Sequence, residues 1–161
     1  MCCMVIGIIS DSHDRLDYIE QAVAIFNSKA VDYVIHCGDV VSPFSAAILN
    51  KLNCEYTGVF GNNDGDWLMI NKITKGRFFK PPKMLELSGK SLIIFHEPFI
   101  VDFVDKKIDF VLYGHTHKKD LRKIDNQLII NPGTSSGYLS DESSVCLLDL
   151  QIGSVNFLEL Q

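Results

Sequence analysis

The chain has 161 residues, 47 % hydrophobic and 22 % charged, with a formal net charge of −5. That length suits one domain spanning residues 1–161, and the composition excludes wholesale disorder. The acidic balance argues against gripping a polymeric nucleic acid, which calls for a basic stripe. It leaves room for a small phosphate substrate, because two divalent cations would nearly cancel the charge.

The N-terminal "MCCMVIGII" is apolar, but it has no basic flank and Asp11 cuts it short, so it does not read as a signal peptide. No stretch approaches the ~20 apolar residues of a membrane span. Cys2, Cys3, Cys37, Cys54 and Cys146 form an odd set without CxxC spacing. Reduced thiols in a soluble, cytoplasmic protein are the simplest expectation.

"MVIGIIS" is a continuous β-branched run that predicts a strand buried on both faces. In "DRLDYIEQAVAIFNSK", Leu16, Ile19, Val23 and Phe26 recur at three- and four-residue steps and predict one apolar helix face. "VDYVIHCGD" predicts a second buried strand. "SPFSAAILNKL" predicts a short helix with Ser42 as cap and Pro43 in its first turn. "CEYTGVFGNND" predicts a third strand and a loop, completing β-α-β-α-β with parallel strands.

The pattern then changes to hairpins, with turns expected at Ser88-Gly89, Asp125-Asn126 and Ile152-Gly153, and "IDFVLYG" as a further buried strand. Two mixed sheets packed face to face, with helices outside, are the expected architecture. "NKITKGRFFKPPK", residues 71–83, reads as a solvated connection whose Phe78-Phe79 pair covers a core edge. Its basic and aromatic residues also make it the best candidate for a substrate flap or a subunit contact, so homo-oligomerisation is left open. Trp67 reads as a packing anchor.

The polar clusters all follow strands. Asp11 and His13 follow the first, Asp39 the second and Asn62 the third; His96 ends "SLIIFH", and His115 and His117 follow "DFVLYG". Ligand sites of open α/β sheets lie beyond the carboxyl ends of their strands, so these residues should converge. His36, inside "VIHCGD", reads instead as a hydrogen-bonded core histidine. Two Asp, one Asn and four His are seven donors, too many for one tetrahedral ion. If one carboxylate bridges, they supply four bonds to each of two ions. Such a donor set suits Mn²⁺, Fe²⁺, Zn²⁺ or Ni²⁺. Two such ions can clamp a transferring phosphoryl group.

In that order, "DSH", "GD", "GNND", a strand-end histidine and "GHTH" resemble the five motif blocks of the calcineurin-like metallophosphoesterase superfamily. "HCGD", "YGHTH" and "INPGT" are most similar to its small archaeal and bacterial phosphodiesterases, the YfcE-like group. The resemblance implies a four-layer α-β-β-α sandwich with a dinuclear centre, Mn²⁺ being the first expectation. It assigns Asp11, His13 and His117 to one ion, Asn62, His96 and His115 to the other, and Asp39 to both. It further implies in-line attack on phosphorus by a hydroxide bridging the ions, with a small phosphodiester as substrate.

Two positions depart from the family pattern. Asn63 stands where many relatives carry a histidine that protonates the leaving group, and it cannot supply a proton near neutral pH. Asn63 and the following Asp64 are the candidate catalytic residues, and a preference for leaving groups that need little protonation is expected. Glu97 stands where relatives usually have glycine, beside the second ion, and bears on substrate range. The rival reading is an interaction scaffold, the main role of the retromer subunit of this fold. The complete donor set, His13 included, argues against it.

Overall fold

The computed structural model describes residues 4–161; the expectations for Cys2 and Cys3 lie outside them. Strand β1 (Val5–Ile9) alternates strictly. Ile6 and Ile8 enter the core between the sheets, and Ile9 enters the core under the helices. A strand buried on both faces needs apolar residues at every position, which explains the unbroken run in the sequence. Strands β2 (Tyr33–His36) and β3 (Glu55–Val59) extend the sheet in parallel.

Helix α1 (Leu16–Ser28) buries Ile19, Ala22, Val23 and Phe26, whereas Leu16, expected on that face, is exposed at the first turn. Helix α2 (Pro43–Ile48) has Ser42 as its cap and ends in a 3-10 turn, Leu49–Lys51. Residues 67–79 are more ordered than a solvated connection. Helix α3 (Trp67–Ile73) is capped by Asp66, whose carboxylate accepts from Met69 N at 3.0 Å. Strand β4 (Phe78–Phe79) pairs with β3 at the sheet edge, and Phe78 is buried in the helix-side core.

The three expected hairpins form. β5 (Lys83–Leu87) turns into β6 (Lys90–Ile94), and β8 (Lys119–Ile124) into β9 (Gln127–Pro132). With β7 (Phe110–Leu112) they form the second sheet, ordered β5-β6-β7-β9-β8. The third hairpin, β10 (Ser144–Asp149) and β11 (Ser154–Glu159), returns to the first sheet, where β10 runs antiparallel to β1.

The sheets meet through Ile6, Ile8, Ile35, Leu92, Leu112 and Ile130. Helices cover the outside of the first sheet. The outside of the second is covered by Phe95, Tyr113 and the connection carrying the 3-10 turn Val101–Phe103. Two mixed sheets flanked by helical segments are thus the architecture expected. The carboxyl ends of β1, β2, β3, β6 and β7 gather at one rim. Among the described residues no helix is long and apolar enough to cross a membrane.

Candidate metal centre

The rim brings the seven donors together in two groups. His13 Nε2 lies 3.2 Å from His117 Nε2, and Asp11 Oδ1 lies 3.4 Å from His117 Nε2 and 3.8 Å from His13 Nε2. In the other group Asn62 Oδ1 is 2.9 Å from both His96 Nε2 and His115 Nδ1. Asp39 Oδ2 stands between them, 3.6 Å from His13 Nε2 and 3.3 Å from His96 Nε2.

These contacts can serve as hydrogen bonds, and they also have the spacing of ligands around a common ion. His96 Nδ1 is 2.9 Å from the Cys37 carbonyl oxygen, which can only accept, so Nδ1 carries the proton. In the neutral ring Nε2 then offers a lone pair, and it faces two more acceptors, Asn62 Oδ1 and Asp39 Oδ2. Convergent acceptors call for positive charge among them, which a proton on His96 or a metal ion supplies. Donors each about 2.1 Å from one ion sit roughly 3.0–3.4 Å apart at octahedral to tetrahedral angles; most of the distances here are close to that, with Asp11–His13 and Asp39–His13 somewhat longer. The residues present therefore fit divalent metal.

The electrostatics agree. Burial opposes ionisation of Asp39, but hydrogen bonds from His96 and Asn63 outweigh it and hold the carboxyl well below the usual range. Burial likewise opposes charge on His96, and Asp39 and Asp11 overcome it and raise its pKa. His117 is raised chiefly by its hydrogen bond to Asp11, whereas burial lowers His13.

The backbone is strained where the donors stand. Asp11, His13, Asp39, His115 and His117 all have φ between 41° and 66°. L residues in that left-handed region cost about 1–2 kcal/mol each. Accordingly, His115→Gly should be more stable than His115→Ala by about 1 kcal/mol, reversing the usual order of these two residues. Urea unfolding of the two metal-free variants measures this difference directly.

The glycines of the "G-N" and "G-H" pairs have a reason the sequence did not supply. A Cβ on Gly61 would overlap Asp39 and crowd His96, and one on Gly114 would overlap Ser10 and crowd Asp11. Tight stacking of the loops, more than turn conformation, excludes side chains there.

Asn63 reaches Asp39 twice, donating from its backbone N at 2.8 Å and from Nδ2 at 2.7 Å. Asp64 points into the loop. Its Oδ2 accepts from Gly61 N at 2.6 Å and Asp39 N at 3.1 Å, and its Oδ1 from Val41 N at 2.6 Å. Glu97 is exposed beside His96. Trp67 stacks on Phe60 with ring centroids 4.3 Å apart, yet remains 40 % exposed.

A second set of residues escaped the sequence reading. Asn131 is fully buried, and its Nδ2 donates to Gly114 O at 2.9 Å and Thr116 Oγ1 at 3.1 Å, pinning the loop that carries His115 and His117. Thr134 Oγ1 donates to Asp11 O and Ser135 Oγ to Ser10 O, both at 2.9 Å. The signal was available: "NPGTSS" is a run of small, mostly polar residues at the end of an apolar strand.

His36 is the core histidine expected. Its Nδ1 accepts from Gly38 N at 3.2 Å, and Nε2 then donates to Ser12 Oγ at 3.0 Å. Burial lowers its pKa to about 4. Because the folded value lies below the unfolded value of about 6.5, the unfolded chain binds the extra proton first. His36 therefore costs stability as pH falls from 6.5 toward 4, by roughly 3 kcal/mol in all. Chemical denaturation at pH 7 and pH 4.5 should show a smaller drop in His36→Gln than in the parent chain.

The calcineurin-like phosphoesterase superfamily domain matches residues 4–153. The chain is 35 % identical over 156 residues to the phosphodiesterase MJ0936 of Methanocaldococcus jannaschii, covering 92 % of this chain and 94 % of that protein. It is 26 % identical over 157 residues to a probable metallophosphoesterase of Methanothermobacter thermautotrophicus, covering 90 % and 85 % of the two chains. Among solved structures, that of an archaeal phosphodiesterase superposes with a TM-score of 0.88 at 32 % identity, covering 98 % of this chain and 100 % of that one. Vps29 of Chaetomium thermophilum superposes with a TM-score of 0.73 at 14 % identity, covering 98 % and 94 %, a likeness of fold alone. With its five motif blocks drawn to one rim and this family match across nearly its whole length, the chain belongs to the calcineurin-like phosphoesterase superfamily.

Proposed function

We propose that this chain is a metal-dependent phosphodiesterase acting on small phosphodiesters. The observation that carries the reading is the pair of donor groups joined through Asp39 Oδ2, with seven polar side chains converging on one another. Asp11, His13 and His117 would hold one divalent ion and Asn62, His96 and His115 a second, with Asp39 shared; Mn²⁺ leads the candidates. When bound, such ions supply water acidic enough to attack phosphorus near neutral pH, and positive charge for the phosphoryl oxygens.

The protein's own part is positional. Asn131, Thr134 and Ser135 fix the loops, Asp64 fixes the turn beneath Asp39, and Asn63 hydrogen-bonds the shared carboxylate. With Asn63 Nδ2 engaged at 2.7 Å on Asp39, no proton is delivered to the leaving group from that position. Activated esters should therefore be favoured.

The test is hydrolysis of bis(p-nitrophenyl) phosphate by protein reconstituted with Mn²⁺, Fe²⁺, Zn²⁺ or Ni²⁺. Metal-dependent turnover is expected, at a rate at least about 100-fold above that of a dialkyl phosphate. A metal-loaded protein inert toward a panel of diesters would overturn the reading.

A further inference from the structure

Two adjoining depressions share the donor residues, and their side chains differ. One, of about 560 Å³, is the donor site itself, with Asn63, Thr116, Lys118, Leu139 and Ser140 around it, mostly polar side chains. The other, of about 360 Å³, has a wall built mainly from Phe60, Trp67, Pro81, Pro82, Phe99 and Ile100. Asn62 and His96, two of the donors already described, also line it, as do Lys80 and Glu97.

We propose that this apolar cleft receives an aromatic ester group of the substrate, a nucleobase or a flat group of similar size. The inference rests on the phosphodiesterase reading and narrows it to a substrate class. A phosphorus atom seated over the donors has two ester arms. Because Asn62 and His96 belong to both the donor set and the cleft wall, one arm is directed into the cleft. The other arm meets the polar side, beside Lys118.

The cleft's volume falls in the lower part of the roughly 300–1,000 Å³ range of small-molecule sites. A methyl or ethyl arm would leave most of it filled with water held against apolar walls. A planar aromatic group would displace that water and gain in proportion to the apolar area covered. Trp67 keeps indole surface open while its ring lies on Phe60. Phe99 and Ile100 are 73 % and 52 % exposed, apolar groups left uncovered beside the donors. The Lys80 ammonium and Glu97 carboxylate provide a donor and an acceptor for the polar edge of a base. Glu97, the departure from the family pattern, thereby gains a part in recognition.

Trp67 is the single tryptophan of the chain, so its emission reports on this cleft. The full chain loaded with Zn²⁺, which does not quench paramagnetically, is titrated with 5′-AMP and with ribose 5-phosphate. These two differ only by the base. Expected is a saturable change in Trp67 emission with 5′-AMP, binding at least about tenfold tighter than ribose 5-phosphate. Phe99→Ser and Ile100→Ser, both at exposed positions, should shrink that ratio to about threefold or less. Equal binding of the two phosphates, or an unresponsive Trp67, overturns the proposal. So does emission that follows protein concentration alongside dimerisation in sedimentation, which would mark the cleft as a contact between copies. If Trp67 responds to 5′-AMP but neither a nucleoside nor an ethyl p-nitrophenyl phosphodiester is hydrolysed, the cleft stands and the phosphodiesterase reading falls.

Discussion

Replacing Asp39 by asparagine is expected to lower phosphodiester turnover by about 100- to 1,000-fold, the loss typical of removing a preorganised charge at a reacting centre. Asp39 is almost fully buried, and its Oδ2 is near both donor groups. Asparagine keeps the shape but turns an amide N–H₂ or a weaker acceptor toward His13 and His96. The hydrogen bonds from Asn63 would also have to rearrange, since an N–H₂ cannot accept them. Metal analysis after dialysis should find both positions depleted in Asp39→Asn. His117→Ala and His115→Ala should each lose about one equivalent, from different positions. A variant Asp39→Asn that retained two tightly bound ions would show that the carboxylate is not shared.

Much of this centre could be read from the sequence because each donor directly follows a strand, and strand ends in a parallel sheet share one rim. Asp11, Asp39 and Asn62 each stand one to three residues past an unmistakable apolar run. What could not be read was how the loops pack on one another. The overlap that a Cβ on Gly61 or Gly114 would cause involves residues about 20 to 100 positions away, and no local propensity records it. Asp64 read as either a residue that orients a neighbouring group or a turn residue, because its amide partners are fixed only by the tertiary fold.

Helix α3 and strand β4 were missed for a related reason. "DWLMINKI" has no clean helical stripe, since only Ile70 is fully buried, and its Asp66 cap is the one local signal. Strand β4 is two residues long and exists by pairing with β3. The apolar cleft was equally hidden, for it joins residues 60, 67, 81, 82, 99 and 100 from four separate segments.

The second large effect belongs to Asp64. Asp64→Ala is expected to destabilise the fold by about 3–4 kcal/mol, because three backbone amides lose a charged acceptor at once. For a chain of this length that corresponds to a fall of roughly 10 °C in Tm. The amides released belong to Gly61, Asp39 and Val41, and the latter two are held at φ of 59° and 76°. Without the carboxylate these strained residues would relax toward negative φ, carrying the Asp39 side chain away from His13 and His96. Activity should therefore fall together with stability. Asp64→Asn, which keeps one carbonyl acceptor, should give an intermediate loss of both.

This pattern separates positioning from proton transfer, the other part a carboxylic acid beside the centre could play. A proton donor replaced by asparagine would lose kcat and one limb of the pH–rate profile while Tm stayed near the parent value. A positioning residue lowers Tm and kcat in parallel and leaves the shape of the pH profile unchanged. Thermal unfolding and pH–rate profiles of the two variants decide the matter. A Tm within 2 °C of the parent for Asp64→Ala would sink the positioning account.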